Sequence, residues 1–128
     1  LGPEVRRRIM LGTFALSSGY YDAYYQKALK VRQLLQNDFI AAFKEADVLL
    51  CPASPTPAFK IGEKIFDPLT MYLSDMYMTA ANLVGIPAVA FPTGAAVGGL
   101  PVGLQLMGPA WSEGTLLALV DRFASAAR

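Results

Sequence analysis

Apolar residues recur every three or four positions in the first third of the chain, which predicts two amphipathic helices. The first begins at Pro3 and Glu4, residue types that suit a first helical turn, and can end at Gly19. The second is predicted from about Tyr20 to Ala46 and has its apolar side at Tyr21, Tyr24, Ala28, Val31, Leu35, Phe39 and Ala42. We interpret the tyrosines as core or partner contacts, with a ligand-stacking stripe as the alternative.

The pattern changes after the second helix. The segment DVLLC predicts a short buried strand, and the prolines that follow predict a loop from Pro52 to Lys64. The segment DPLTMYLSDMYMTAANLVG starts with a helix signal, Asp67-Pro68, and predicts one helix or two short ones. AVAFPTG and LPVGLQLMG, joined by AAVGG, predict a β-hairpin. Ser112 is expected to cap a last helix, whose inward residues are Leu116, Val120, Phe123 and Ala127.

Strands mixed with helices indicate an α/β fold. Three strands are recognisable, and strands this apolar are expected to have further neighbours in a sheet. From Met76 to Trp111 no residue is charged, which could suggest a membrane span. The prolines and glycines of this run exclude a continuous apolar helix of about 20 residues. We therefore interpret it as sheet strands buried on both faces.

Charge and cysteine content remove several classes of function. The net charge of +1 gives no global electrostatic case for binding nucleic acid or an anionic membrane. With Cys51 alone and no histidine, the sequence holds no internal disulfide, zinc finger or Ser–His pair. We interpret Cys51 as a small buried hydrophobe. Because the chain begins at Leu1 without Met or a signal sequence, we expect a cut inside a longer protein. The expected location of that protein is the cytoplasm.

The serine pair Ser17-Ser18 could suggest a nucleophile. A catalytic serine needs an adjacent base and an oxyanion site. The chain has no histidine, and the nearest lysine, Lys27, is expected on the exposed side of the second helix. We therefore interpret Ser17-Ser18-Gly19 as the end of a helix.

Arg8 shares the edge of the first helix's apolar stripe with Gly12 and Ala15. These two small residues leave room for its guanidinium to lie along the helix. Arg6 and Arg7 are expected in solvent.

Asp75 lies in an apolar context, TMYLSDMYMTAANL, where a carboxylate is costly to bury unless it is paired. It is either a half-exposed helix residue or a carboxylate that awaits a cation, which could be an internal arginine or a ligand ammonium. Asn82 and Gln105 are candidate buried amides, for which we expect a structural role.

Two segments, GIPAVAFPTG and GLPVGLQLMGPAWSEGTLLALVDRF, resemble the C-terminal end of the amidase signature family. RRIMLGTFALSSGYYDAYYQKA and DPLTMYLSD resemble the branch of that family that releases ammonia from glutamine for tRNA-dependent amidation. Together these matches span essentially the whole chain. The resemblance implies that residues 1–128 are the C-terminal part of a single amidase domain, an α/β/α fold with a mixed sheet.

The family's catalytic triad is a serine, a cis-serine and a lysine that acts as the base. The resemblance places these residues in upstream segments that this chain does not contain, so no catalytic residue and no metal site are expected here. In the glutamine-hydrolysing branch, the substrate is held by its α-carboxylate and α-ammonium groups. The matching positions are Arg8 and Asp75, whose guanidinium fork and carboxylate suit these two groups.

In the whole enzyme, the resemblance implies that a serine attacks the carboxamide of glutamine and releases ammonia. The B component of the complex uses this ammonia with ATP and magnesium, and the C component bridges the other two. The expected partners of this chain are therefore the B and C subunits, glutamine and the N-terminal part of the same protein, without a cofactor of its own and without nucleic acid or membrane contact. Two alternatives remain: a part of another amidase signature hydrolase, and a non-catalytic module for subunit packing.

We predict that the 128-residue chain alone releases no ammonia from glutamine, because it has neither the nucleophile nor the base. The measurement is ammonia release by the purified chain against a protein-free blank. Activity that exceeds the blank and is lost in Ser17→Ala or Ser18→Ala would contradict both this prediction and the interpretation of the two serines.

Overall fold

The computed structural model describes residues 1–17 and 19–126, and the chain forms two compact units, Leu1–Asn37 and Asp38–Arg128. Helical structure makes up the first unit, whereas the second combines helices with a three-stranded sheet. The predicted α/β class is therefore confirmed.

The first unit begins with helix α1, Pro3–Ala15. Pro3 lies in the first turn, where its missing N–H leaves no bond unmade, and Glu4 places a negative charge near the positive end of the helix dipole. The chain then turns through Gly19, whose φ of 86° lies in the left-handed region that glycine adopts without strain. Helix α1 thus ends four residues before Gly19, where the sequence predicted its end.

A π-helical segment, Tyr21–Gln26, leads directly into helix α2, Lys27–Ala42. The second helix, predicted to reach Ala46, thus starts with a wider turn and ends four residues early. Its end tightens, because the N–H of Glu45 donates to the carbonyl of Ala42 at the three-residue spacing that commonly closes a helix.

The aromatic rings of the first unit contact one another instead of a buried core. The ring centres of Phe14 and Tyr20 are 4.2 Å apart, and those of Tyr21 and Tyr25 are 4.9 Å apart. Tyr24 remains 61% exposed. The interpretation of the tyrosines as core residues is therefore wrong within this unit, and their role as partner contacts stays a prediction.

The second unit is built on an antiparallel sheet with the strand order β1-β3-β2. Strand β1 is Leu49–Pro52, β2 is Ala88–Val97 and β3 is Leu100–Met107. The predicted hairpin is confirmed, and its turn uses positive φ angles of 60° and 80° at Gly98 and Gly99. All pairs among the described strands are antiparallel, so the parallel pairing of a mixed sheet is not represented in residues 19–126.

The segment between β1 and β2 contains two short helices, α3 at Pro68–Leu73 and α4 at Met76–Val84. The alternative of two helices is therefore the correct one. Gly85 ends α4 with a φ of 80°.

A small apolar core lies on one face of the sheet, where it is covered by the last helix, α5, Glu113–Ala126. Phe91, Leu106 and Leu116 are its buried members, and Leu116 is 1% exposed. Phe123 is partly exposed, although its ring meets that of Phe91 edge-on at 5.2 Å. These contacts agree with the predicted inward side of this helix, except that Ala127 lies outside the described residues.

Two details of the sequence interpretation need correction. The last residues of β3 are buried towards both faces, as expected, but β2 is mostly exposed because it lies at the sheet edge. Ser112 precedes α5 and its carbonyl accepts the N–H of Leu116 at 3.0 Å. Its hydroxyl, however, has no hydrogen-bond partner among the described residues, so the expected side-chain cap is not formed. Within the same residues, no helix is long and apolar enough to cross a membrane.

Gly108 leaves no space for a side chain. A Cβ at this position would collide with the hydroxyl of Ser112 and come within 3.2 Å of the Leu116 side chain. We expect Gly108→Ala to lower the free energy of unfolding by about 1–3 kcal/mol, the usual cost of overpacking a core. Gly114→Ala is the matched control, because nothing lies within 4 Å of its added methyl group. The measurement is the midpoint of thermal unfolding, which should be lower for Gly108→Ala than for Gly114→Ala. Equal midpoints would contradict the predicted clash.

Strands β1 and β2 form the two edges of the sheet and carry exposed apolar residues, such as Leu50 at 59% and Val97 at 60%. Open strand edges with apolar side chains favour pairing with another chain. We predict that the purified 128-residue chain associates with itself and binds an apolar dye. Sedimentation that shows a stable monomer without dye binding would contradict this.

Candidate functional site

Arg8 lies one helical turn after Glu4 on α1, and the two side chains form an ion pair. The Nε of Arg8 donates to Oε1 of Glu4 at 3.1 Å, and Nη1 of Arg7 donates to Oε2 of the same carboxylate at 3.0 Å. The side chains of Arg7 and Arg8 are 59% and 62% exposed, so both pairs are screened by water and stabilise the helix little. The contact with Glu4 lies on the N-terminal side of Arg8, away from Gly12 and Ala15.

Asp75 lies in the break between α3 and α4, at the first position before the second of these helices. Its backbone is well held, because its carbonyl accepts the N–H of Thr79 at 3.0 Å and the hydroxyl of the same residue at 2.8 Å. Its carboxylate makes no capping hydrogen bond to the helix that follows and is exposed. The side chain of Asp75 is therefore exposed, as in the first interpretation given for it from the sequence. The second interpretation, that its carboxylate binds a cation, stays a prediction.

Polar contacts hold the chain just before this break. Nζ of Lys64 donates to Oγ of Ser74 at 2.7 Å and also lies 4.1 Å from the centre of the Phe59 ring. Ser74 in turn donates to the carbonyl of Thr70 at 3.1 Å. The residue before Asp75 is therefore attached both to its own helix and to the preceding loop.

Asp67 begins α3 as its N-cap, as the sequence predicts. Its carboxylate accepts hydrogen bonds from the hydroxyl and the N–H of Thr70. The hydroxyl bond from Thr70 first, and then its N–H bond, lower the pKa of Asp67 below its usual value. Desolvation opposes this shift, and the N–H of Leu69 and the charge of Lys64 add to it. The ionised carboxylate of Asp67 therefore stabilises the start of α3 at neutral pH. This contribution to folding stability is lost as the pH falls through the lowered pKa.

The side chain of Gln105 connects the sheet to α4. Gln105 is 2% exposed, and its Nε2 donates to the carbonyl of Tyr77 at 3.2 Å. The same nitrogen lies 3.5 Å from Sγ of half-buried Cys51. The expectation of a buried amide is confirmed for Gln105. It is wrong for Asn82, which is exposed and donates to the carbonyl of Met78 on its own helix.

Ser17 is exposed, and its hydroxyl donates to the carbonyl of Phe14 at 2.7 Å. This bond satisfies a carbonyl at the end of α1, which agrees with the interpretation of a helix end. Ser18 lies outside the described residues. Across the described part of the chain, no three His, Cys, Asp or Glu side chains come together as a metal site would require.

A cavity of about 450 Å³ lies in the second unit between the proline-rich loop and the hairpin. Its walls are residues 52–59, Val97 and residues 101–103, and the N–H of Ala53 joins the loop to the carbonyl of Gly103 at 3.0 Å. Neither Arg8 nor Asp75 lines this cavity. Arg8 belongs to the first unit and Asp75 to the second, so their joint role in one site stays a prediction.

Residues 1–117 match the sequence model of the amidase family, and the chain therefore belongs to that family. The resemblance that the sequence motifs suggested is confirmed.

Relatives in this family are similar over nearly the whole chain. The A subunit of glutamyl-tRNA(Gln) amidotransferase from Geobacter sp. (strain M21) is 60% identical over 122 residues, which are 95% of this chain and 25% of the relative. The protein of the same name from Coxiella burnetii is 57% identical over the same shares.

Solved structures of the family show the same fold. The crystal structure of the glutamyl-tRNA(Gln) amidotransferase A subunit from Thermotoga maritima is 47% identical and has a TM-score of 0.71, covering 91% of this chain and 26% of that one. A Kluyveromyces lactis allophanate hydrolase is 28% identical with a TM-score of 0.74, covering 97% of this chain and 20% of that one. The chain thus spans about a quarter of the length of the relatives that it matches.

Proposed function

We propose that this chain is the glutamine-binding part of the A subunit of a tRNA-dependent amidotransferase. The complete protein would hydrolyse glutamine and supply ammonia for the amidation of Glu-tRNA(Gln) or Asp-tRNA(Asn). The observation that carries the proposal is the 60% identity, over 95% of the chain, with the A subunit of a glutamyl-tRNA(Gln) amidotransferase. Because the chain spans a quarter of that relative, the activity is proposed for the complete protein and not for this chain alone.

The chemistry of two side chains supports a role in substrate binding. Arg8 is exposed, and its planar guanidinium can pair with the α-carboxylate of glutamine through two parallel hydrogen bonds. In this structure, the Nε of Arg8 already donates to the carboxylate of Glu4, which shows that the guanidinium can pair with a carboxylate in this conformation. Asp75 offers an exposed carboxylate that the following helix does not use, and it suits the α-ammonium group.

The reaction itself would begin elsewhere in the protein. An upstream serine, activated by a lysine, attacks the side-chain carboxamide and forms a glutamyl ester with release of ammonia, and water then hydrolyses the ester. Ammonia passes to the B component, which uses ATP and magnesium, while the C component bridges the two. In this scheme Arg8 and Asp75 hold the end of glutamine that does not react, in a cytoplasmic complex.

Another amidase is the second candidate, since the allophanate hydrolase of Kluyveromyces lactis shares the fold at 28% identity. A hydrolase whose substrate lacks an α-amino acid group would not need Arg8 and Asp75 together. A non-catalytic packing module would need neither. Kinetics with glutamine therefore separate the candidates.

We predict that Arg8→Ala and Asp75→Asn in the complete protein raise KM for glutamine by about 30-fold to a few thousand-fold. The range corresponds to the about 2–5 kcal/mol lost when one partner of a desolvated charge pair is removed, which requires that the complete protein with bound glutamine excludes water from Arg8 and Asp75. Arg8→Lys should have a KM for glutamine almost as high as that of Arg8→Ala, because an ammonium cannot reproduce the two parallel hydrogen bonds of a guanidinium. Glutaminase kinetics give the measurement, and kcat falls as well if the pair also aligns the amide for attack.

Arg7→Ala is the matched control, because Arg7 and Arg8 share the carboxylate of Glu4. Arg7→Ala and Arg6→Ala should change KM little, since the proposal assigns the α-carboxylate of glutamine to Arg8 alone. Ammonia-dependent amidation by the assembled complex should survive in every variant, because free ammonia replaces glutamine. Equal damage from the three arginines, or loss of ammonia-dependent activity in Asp75→Asn, would indicate a structural role and defeat the proposal.

A further inference from the structure

The buried amide of Gln105 contacts the first turn of α4, the helix that begins directly after Asp75. Gln105 is the one polar or charged residue that is fully buried among the described residues, at 2% exposure. Burying an amide is unfavourable unless its hydrogen bonds are made, so its bond to the Tyr77 carbonyl favours the position of the first turn of α4 in which this bond forms.

A short series of bonds connects this amide to Asp75. Gln105 lies at the centre of the sheet, paired with Cys51 on one side and Ala90 on the other, so its backbone is fixed. Its Nε2 holds the carbonyl of Tyr77 at 3.2 Å. Within the same helical turn, the carbonyl of Asp75 accepts the N–H groups of Met78 and Thr79 at 3.1 and 3.0 Å.

The carboxylate of Asp75 itself is not held by a helix cap. The region that this carboxylate can reach therefore depends on the position of the Asp75 backbone, which is bonded to the first turn of α4. The second attachment of this break, from Lys64 to Ser74, holds the residue before Asp75.

We propose that Gln105 is a positioning residue for Asp75: by binding the Tyr77 carbonyl it fixes the turn that presents this carboxylate to the α-ammonium group of the substrate. The inference rests on the proposed function, because it assumes that Asp75 binds glutamine. Gln105 does not touch the substrate in this scheme.

The test is glutaminase kinetics on the complete protein with Gln105→Met, which keeps the length of the side chain and removes the donor. KM for glutamine should rise about threefold to tenfold, as for the loss of one hydrogen bond, while kcat changes little. Asn82→Leu is the matched control, because it removes an exposed amide that donates to the carbonyl of Met78 without linking α4 to the sheet. Cys51→Ala removes the other contact of Gln105. Both controls should leave KM unchanged.

Two further measurements separate positioning from general destabilisation. Glutaramate, which is glutamine without its α-amino group, should bind equally well to wild type and Gln105→Met. On the background of Asp75→Asn, Gln105→Met should add no further rise in KM, since residues that act through one another are not additive. An unchanged KM for glutamine, an equal loss for glutaramate, or an additive effect with Asp75→Asn would each overturn the inference.

The failure of the proposed function gives a different result. If Asp75→Asn alone leaves KM for glutamine unchanged, the carboxylate does not bind glutamine and both proposals fall. If Asp75→Asn raises KM and Gln105→Met does not, the proposed function stands and the positioning role is wrong. Should Gln105→Met fail to fold, Gln105→Asn takes its place with the same expected pattern, because it keeps an amide but is one methylene too short to hold the carbonyl.

Discussion

The second unit depends on strand β3, which pairs with a neighbour on each edge and buries side chains towards both faces. On one face Leu106 joins Phe91 and Leu116 beneath α5. On the other face Gln105 must find an acceptor, because a buried amide without one is strongly unfavourable. The carbonyl of Tyr77 meets this need, and it thereby connects α4 to the sheet.

The bond between Gln105 and Tyr77 helps to position the break between α3 and α4 relative to the sheet. The break itself is polar, with Ser74 held by Lys64 and the backbone of Asp75 held by Thr79. An exposed carboxylate on a fixed backbone is available to a cation without first giving up a helix-capping bond. In the proposed function that cation is the ammonium group of glutamine.

The small core contrasts with the many apolar side chains on the surface of both units. Ile9 is 54% exposed on α1, and Leu50 is 59% exposed on an edge strand. The relatives are about four times longer than this chain, so the family fold contains far more structure than the described part. Exposed apolar surface of this extent is typical of regions that contact another protein or another part of the same protein.

Local features of the chain were predictable from sequence, because they depend on residues near one another. Proline at the start of α1, the Asp67-Pro68 signal and the glycines of the hairpin turn each determine their own element. The family assignment likewise came from motifs in the sequence, and so did the prediction, still untested, that Arg8 and Asp75 bind the substrate. The tertiary structure decided what each side chain contacts: it placed Asn82 in solvent and Gln105 in the interior, although both had been expected to be buried. It did so because burial depends on which face of an element another element covers, and that is set by contacts between residues far apart in the chain, such as Gln105 and Tyr77.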